Sequence, residues 1–135
     1  MVRIENPESS YLALDQMVKH VKSILVELNL PFRILRLCGG DLGFTSALTY
    51  DFEVYSSAQK KWLEVSSVSN FETYQSNRLK LRINNTGTKV LAHTLNGSSL
   101  ALPRILASII ENFQEKGSIL IPKVLTSYTG FEKIQ

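Results

Sequence analysis

Two short runs in this 135-residue chain carry residue types that could do chemistry. Glu64-Val65-Ser66-Ser67-Val68-Ser69-Asn70 places a carboxylate and several hydroxyls on an extended segment. Thr94-Leu95-Asn96-Gly97-Ser98-Ser99-Leu100-Ala101-Leu102-Pro103-Arg104 reads as a strand that turns through Asn-Gly-Ser-Ser into an apolar helix carrying one arginine. Carboxylate and hydroxyl oxygens suit a hard divalent cation, and a planar guanidinium grips phosphate with a fork of donors. Together the runs suggest a magnesium–nucleotide site. Asp51 and Glu53 add carboxylates on the strand expected to pair with that of Glu64, although the wet face of a sheet accounts for them equally well. Serines at 66, 67 and 69 are poor strand formers, and such local conflict is expected where function overrides folding preference. In a regular strand Glu64 and Ser66 share a face while Ser67 points away. If Glu64 and Ser67 touch one metal, the strand must bulge or end there.

Other candidates are weaker. Free amides at the start of the second helix favour an anion, with Arg104 on an early turn; a capped helix with an exposed arginine is the plain alternative. Gly39-Gly40-Asp41-Leu42-Gly43 lacks the lysine and the spacing of a phosphate loop and reads as a tight turn. Nothing places Ser66 beside His93 as nucleophile and base. His20, between Lys19 and Val21, has no partner at metal-ligand spacing and reads as solvated.

The elements that must position these residues follow from hydrophobic periodicity. Asn6-Pro7-Glu8 reads as a helix start, with Asn6 as cap and Pro7 in the first turn. Tyr11, Leu14, Val18, Val21, Leu25 and Leu28 recur at helical spacing, with Met17 and Ile24 widening the stripe, until Asn29-Leu30-Pro31 stops it. Residues 32–37 read as a strand before the turn at Gly39-Gly40-Asp41. Tyr50, Phe52 and Val54 alternate with Asp51, Glu53 and Tyr55, and residues 62–68 return as the hairpin partner. Leu79, Leu81 and Ile83 alternate with Lys80 and Arg82 as a further strand. Asn84-Asn85-Thr86-Gly87 is a turn cluster and the one loop expected to be disordered, and residues 89–95 form another strand. Residues 100–113 make the second long helix, tolerating Pro103 near its start and closed by Gly117. Residues 119–125 are a last extended segment. Strands in succession, joined by short loops, predict an α+β fold: an antiparallel sheet flanked by helices.

A hydrophobic share of 44% and a charged share of 20% describe one ordinary globular domain over residues 1–135. A net charge of +3 permits a nucleic-acid partner without requiring one. A single cysteine, Cys38, excludes an internal disulfide and is expected to be a small buried apolar residue in a reducing compartment. No apolar stretch approaches the roughly 20 residues that span a bilayer, and Val2-Arg3-Ile4-Glu5 is too charged for a secretion signal. The expectation is a cytoplasmic protein with no membrane partner.

These motifs resemble, in order and over nearly the whole chain, the C-terminal part of the catalytic core of seryl-tRNA synthetases, a class II aminoacyl-tRNA synthetase family. Asn6-Pro7-Glu8-Ser9-Ser10, Pro31-Phe32-Arg33, Cys38-Gly39-Gly40-Asp41-Leu42-Gly43-Phe44, Tyr50-Asp51-Phe52-Glu53-Val54, Glu64-Val65-Ser66-Ser67 and Glu111-Asn112-Phe113-Gln114 each match a family run, and residues 94–104 match its motif 3. The resemblance implies ATP-dependent activation of serine and its transfer to tRNA(Ser). By it Glu64, Val65, Ser66 and Ser67 contact ATP, Glu64 and Ser67 hold Mg2+, Asn96 and Ser98 lie against the serine, and Arg104 clamps the phosphates as the catalytic arginine. It also implies a homodimer when intact, and a piece covering the end of motif 2 through motif 3 that is inactive alone, with an unpaired sheet edge prone to self-association. Gly39, Asn77, Ser99 and Pro103 depart from the family pattern. A stand-alone paralogue acting as a binding or regulatory module, or a ligase charging a carrier protein, are the alternative readings.

Overall fold

The computed structural model describes residues 1–85 and 87–135. Its centre is a five-stranded antiparallel sheet in the order β1-β7-β4-β3-β2, formed by β1 (Val2–Glu5), β2 (Phe32–Arg36), β3 (Leu48–Ser56), β4 (Lys61–Asn70) and β7 (His93–Gly97). One face is covered by α1 (Ser10–Glu27) and α3 (Leu102–Asn112). Ala13, Leu14, Met17, Val21 and Leu25 recur every three or four residues along α1 and all point inward. They meet Phe52 and Val54 of β3, Val65 and Val68 of β4 and Leu95 of β7, while α3 adds Ile105 and Ile109. The C-terminal end of α3 is pinned to the β3–β4 hairpin: Ser56 Oγ donates to Glu111 Oε2 at 2.6 Å and Asn112 Nδ2 donates to the Tyr55 carbonyl at 3.0 Å.

The antiparallel α+β architecture, both long helices and the β3–β4 hairpin agree with the sequence reading; several details differ. Val2–Glu5 is an edge strand pairing with β7, more than 80 residues away, which no local pattern reveals. Asn6 to Ser9 form a turn, so α1 begins at Ser10 rather than at Asn6, and Tyr11 lies outside the core with its hydroxyl donating to Glu72. Leu79 ends a short helix, α2 (Thr73–Leu79), and is exposed rather than facing a strand interior. Residues 89–95 are not one strand: β6 (Thr88–Leu91) pairs with β5 (Arg82–Asn85) in a separate ribbon, and the chain changes sheet at Ala92. Thr86, in the expected disordered turn, lies outside the described residues. Gly117, at φ 85°, does not close α3; with Lys116 at φ 46° it makes a tight turn between β8 (Gln114–Glu115) and β9 (Ser118–Leu120). Residues 123–125 form a 3-10 turn rather than an extended segment. It leads into α4 (Thr126–Thr129) and β10 (Lys133–Ile134), which pairs with β9. Cys38 is exposed, because β2 ends at Arg36 and the chain leaves the sheet as the Cys38 carbonyl accepts from Asp41 and Leu42 amides.

A buried polar network joins α1 to the sheet. Asn70 Nδ2 donates to Ser10 Oγ at 3.1 Å, Ser10 Oγ lies 2.8 Å from His93 Nδ1, and the Glu72 amide donates to Asn70 Oδ1 at 2.9 Å. Ser10 and Asn70 are both fully buried, so each bond replaces one that water would otherwise make. Ser10→Ala strands both the Asn70 amide and the His93 ring nitrogen. Its expected cost is about 1–3 kcal/mol, measurable as a lowered urea midpoint with an unchanged slope.

Candidate active site

The run 64–67 is not a regular strand. In the β3–β4 ladder Phe52 opposes Ser66 and Glu53 opposes Glu64, leaving Val65 as an extra residue in a bulge. The extra residue changes the parity of the strand. Glu64 and Ser67, which a regular strand would set on opposite faces, fall on the same one, beside Glu53 and Asp51 respectively. This is the face opposite the helices. Val65 turns inward and is buried, and Ser66 sits opposite the core residue Phe52. Further along the open face, Thr49 Oγ1 and Ser69 Oγ are 2.7 Å apart, and Asn96 is the neighbour of Ser69 on β7.

The bulge is stitched to the segment that leads into α3. The Glu64 carbonyl accepts from Arg104 Nη1 at 2.5 Å, the Val65 carbonyl accepts from the Ala101 amide at 2.6 Å, and Ser66 Oγ donates to the Ser98 carbonyl at 2.6 Å. β7 pairs with β4 only at Val68–Asn70, and these contacts with residues 98–104 satisfy polar groups of the stretch before it. Pro103 is compatible because it occupies the first turn of α3, where its missing N–H has no helical acceptor. Glu64, Val65, Ser66, Ser67, Ser98 and Arg104 are therefore brought together. Ser98 contributes its backbone to this contact and leaves its side chain exposed.

Asn96 is held from elsewhere. Gln75 Oε1, on α2, accepts from Asn96 Nδ2 at 3.2 Å and from Thr94 Oγ1 at 2.8 Å. Sequence reasoning missed Gln75; the only available signal was that Thr94 and Asn96 alternate as polar residues on one strand and need a polar neighbour. Gly97 is required by close approach. A Cβ there would lie 2.5 Å from the Ser67 carbonyl and 2.9 Å from Val68 Cα.

The open face is rich in carboxylate. Partial burial, then the nearby charge of Asp51, pushes the Glu64 carboxyl above the usual glutamate range; Glu53 adds to the rise and Arg104 opposes it. Glu53 is paired with Arg33 at 2.5 Å. Asp51 Oδ1, by contrast, is buried with no hydrogen-bond partner. A hard cation or a donor-bearing ligand would satisfy this set of oxygens. Among the described residues no three His, Cys, Asp or Glu side chains gather as a closed metal cage. The donors suit an ion held by one or two carboxylates, a hydroxyl and oxygens from a bound ligand, the pattern of magnesium in nucleotide sites. Arg104 makes one hydrogen bond among the described residues, leaving most of its guanidinium donors available for phosphate.

Two outcomes follow. Gly97→Ala should lower stability by about 1–3 kcal/mol, read by thermal unfolding, because β7 must move away from Ser67. A carboxyl raised on folding contributes stability that is present below its unfolded pKa and lost as pH rises through its folded value. Glu64→Gln should therefore stabilise the protein near pH 7 by about 0.5 kcal/mol or less, screening by water keeping the effect small, with the gain vanishing below about pH 4.

The chain is similar to known proteins over nearly its whole length. A family model described as the tRNA synthetase class II core domain (G, H, P, S and T) matches residues 1–113. The serine–tRNA ligase of Salinibacter ruber is 51% identical over 137 aligned positions, covering 99% of this chain and 32% of the relative. The crystal structure of seryl-tRNA synthetase from Pyrococcus horikoshii complexed with ATP superposes with a TM-score of 0.94 at 36% identity, covering 98% of this chain and 30% of that one. The cytoplasmic serine–tRNA ligase of Naegleria fowleri in complex with AMP gives a TM-score of 0.91 at 26% identity, covering 99% and 32%. The chain spans about a third of the length of the curated relatives it matches. No helix among the described residues is long and apolar enough to cross a membrane.

Proposed function

The chain belongs to the class II tRNA synthetase core-domain family, and from that premise we propose that it is the C-terminal part of the catalytic domain of a serine–tRNA ligase, from the end of motif 2 through motif 3. The observation that carries this reading is the bulge at Val65, which sets Glu64 and Ser67 on one face while Arg104 bonds the Glu64 carbonyl. Similarity to structures crystallised with ATP and AMP supports a nucleotide on this face.

Glu64 and Ser67 would hold Mg2+, and Val65 and Ser66 line the nucleotide. When bound, the ion neutralises phosphate charge and fixes the polyphosphate in one geometry. Arg104 directs its free guanidinium donors at the phosphates. Asn96, oriented by Gln75, and Ser98 receive the amino acid. The serine carboxylate attacks the α-phosphorus in line, the bond to the bridging oxygen breaks, and pyrophosphate leaves with seryl-adenylate remaining. A terminal ribose hydroxyl of tRNA(Ser) then attacks the seryl carbonyl and releases AMP. No protein nucleophile takes part; the protein positions the reactants and stabilises charge. The intact ligase acts in the cytoplasm as a homodimer.

Calorimetry of the chain with ATP and Mg2+ should show binding weakened by about tenfold or more in Glu64→Ala, the loss expected for a charged contact. In an intact ligase containing these residues, Arg104→Ala should lower the rate of ATP–pyrophosphate exchange by about 100-fold or more. Exchange at the unchanged rate would remove Arg104 from its role, and ATP binding indifferent to Glu64 would overturn the assignment of the face.

A further inference from the structure

Two carboxylates of β3 stand on the open face, and the fold treats them differently. Glu53 lies opposite Arg33 of β2, which pairs with it at 2.5 Å while its guanidinium rests 4.8 Å from the Trp62 ring centroid. Asp51, two residues earlier, lies opposite Leu35, so β2 offers it no cation. Its Oδ1 is closed off from solvent and has no hydrogen-bond partner among the described residues. An acid left without a partner beside Glu53 and Glu64 weakens the fold, and such a conflict persists where function uses it.

The surroundings of Asp51 narrow what that oxygen is for. An oxygen that water cannot touch is equally closed to a hydrated ion, so its partner must be a donor already in the protein. Its direct neighbour across β4 is Ser67, and side chains so placed have Cβ atoms about 5 Å apart. Thr49 and Ser69, the next hydroxyls along the same face, are bonded to each other at 2.7 Å, and Arg33 is committed to Glu53. The Ser67 hydroxyl is thus the donor within reach. It does not donate to Oδ1 in this structure, although both residues are half-buried side by side. Rotamer changes at partly exposed side chains are fast, so the pair can close when a ligand arrives.

A hydroxyl has one proton and two lone pairs. To give a lone pair to a cation it must turn its proton away, and a carboxylate oxygen is a strong acceptor for that proton. Acceptors placed behind a metal ligand fix its orientation and raise its basicity.

We propose that Asp51 is the positioning residue of the cation site: its Oδ1 accepts a hydrogen bond from the Ser67 hydroxyl and so keeps the Ser67 lone pair turned toward the ion. The inference rests on the reading of Glu64 and Ser67 as metal-binding.

Calorimetry of the 135-residue chain with ATP, in Mg2+ and in EDTA, tests it on Asp51→Ala, Ser67→Ala and the double variant. Asp51→Ala should weaken the Mg2+-dependent part of ATP binding by about tenfold, the loss typical of a partner behind a metal ligand. In EDTA the same variant should bind ATP no more weakly than the parent chain. In the Ser67→Ala background Asp51→Ala should cost less than about twofold, because the hydroxyl it orients is gone. Asp51→Asn keeps an acceptor oxygen without the charge. It should melt no lower than the parent in the absence of metal, and it should lose less Mg2+ affinity than Asp51→Ala. A loss that persists undiminished in the Ser67→Ala background overturns the proposal. Binding that needs Glu64 but ignores Asp51 overturns it alone, whereas ATP binding that ignores both Mg2+ and Glu64→Ala overturns the metal reading and the proposal with it.

Discussion

One extra residue in one strand organises the open face of this protein. Without the bulge at Val65, β4 would carry Glu64 on one side of the sheet and Ser67 on the other, and no single ligand could touch both side chains. The segment after β7 bonds the same stretch, with Arg104 at the Glu64 carbonyl and Ala101 at the Val65 carbonyl. Ser66 lies at the irregularity and bonds the Ser98 carbonyl, while Ser67 and Ser69 keep regular ladder pairings with Asp51 and Thr49.

The rest of the molecule supplies rigidity. The helix-covered face is filled by apolar side chains of both helices and the central strands, so the sheet cannot flex without opening a packed core. The network through Ser10, Asn70 and His93 fixes the end of β4 against the start of β7. Gly97 lets β7 approach Ser67 closely, keeping Asn96 beside Ser69. The open face has the opposite character. It concentrates carboxylates, leaves Asp51 with an unpartnered oxygen, and presents a cation in Arg104. Such a surface is stabilised by a ligand that brings positive charge to the acids and negative charge to the arginine, as a metal–polyphosphate does.

Periodicity was enough to read α1, α3 and the β3–β4 hairpin, because each is held by contacts between residues close in sequence or by one apolar stripe. It failed where the stabilising partner is remote. β1 exists only because β7 lies beside it, Tyr11 leaves the stripe for Glu72, and Gln75 becomes a positioning residue only once α2 folds across β7. Cys38 follows an apolar run but lies past the end of its strand.

What the sequence determined by itself was chemistry: which residues bear carboxylates, hydroxyls and a guanidinium, and which segments alternate or repeat as strands and helices. Side-chain type and local spacing are properties of the chain at any point along it. Which of those groups share a face was decided by the tertiary structure alone. The face on which Ser67 lies depends on how β4 pairs with β3, and pairing is settled by the packing of the entire sheet rather than by the residues of one strand.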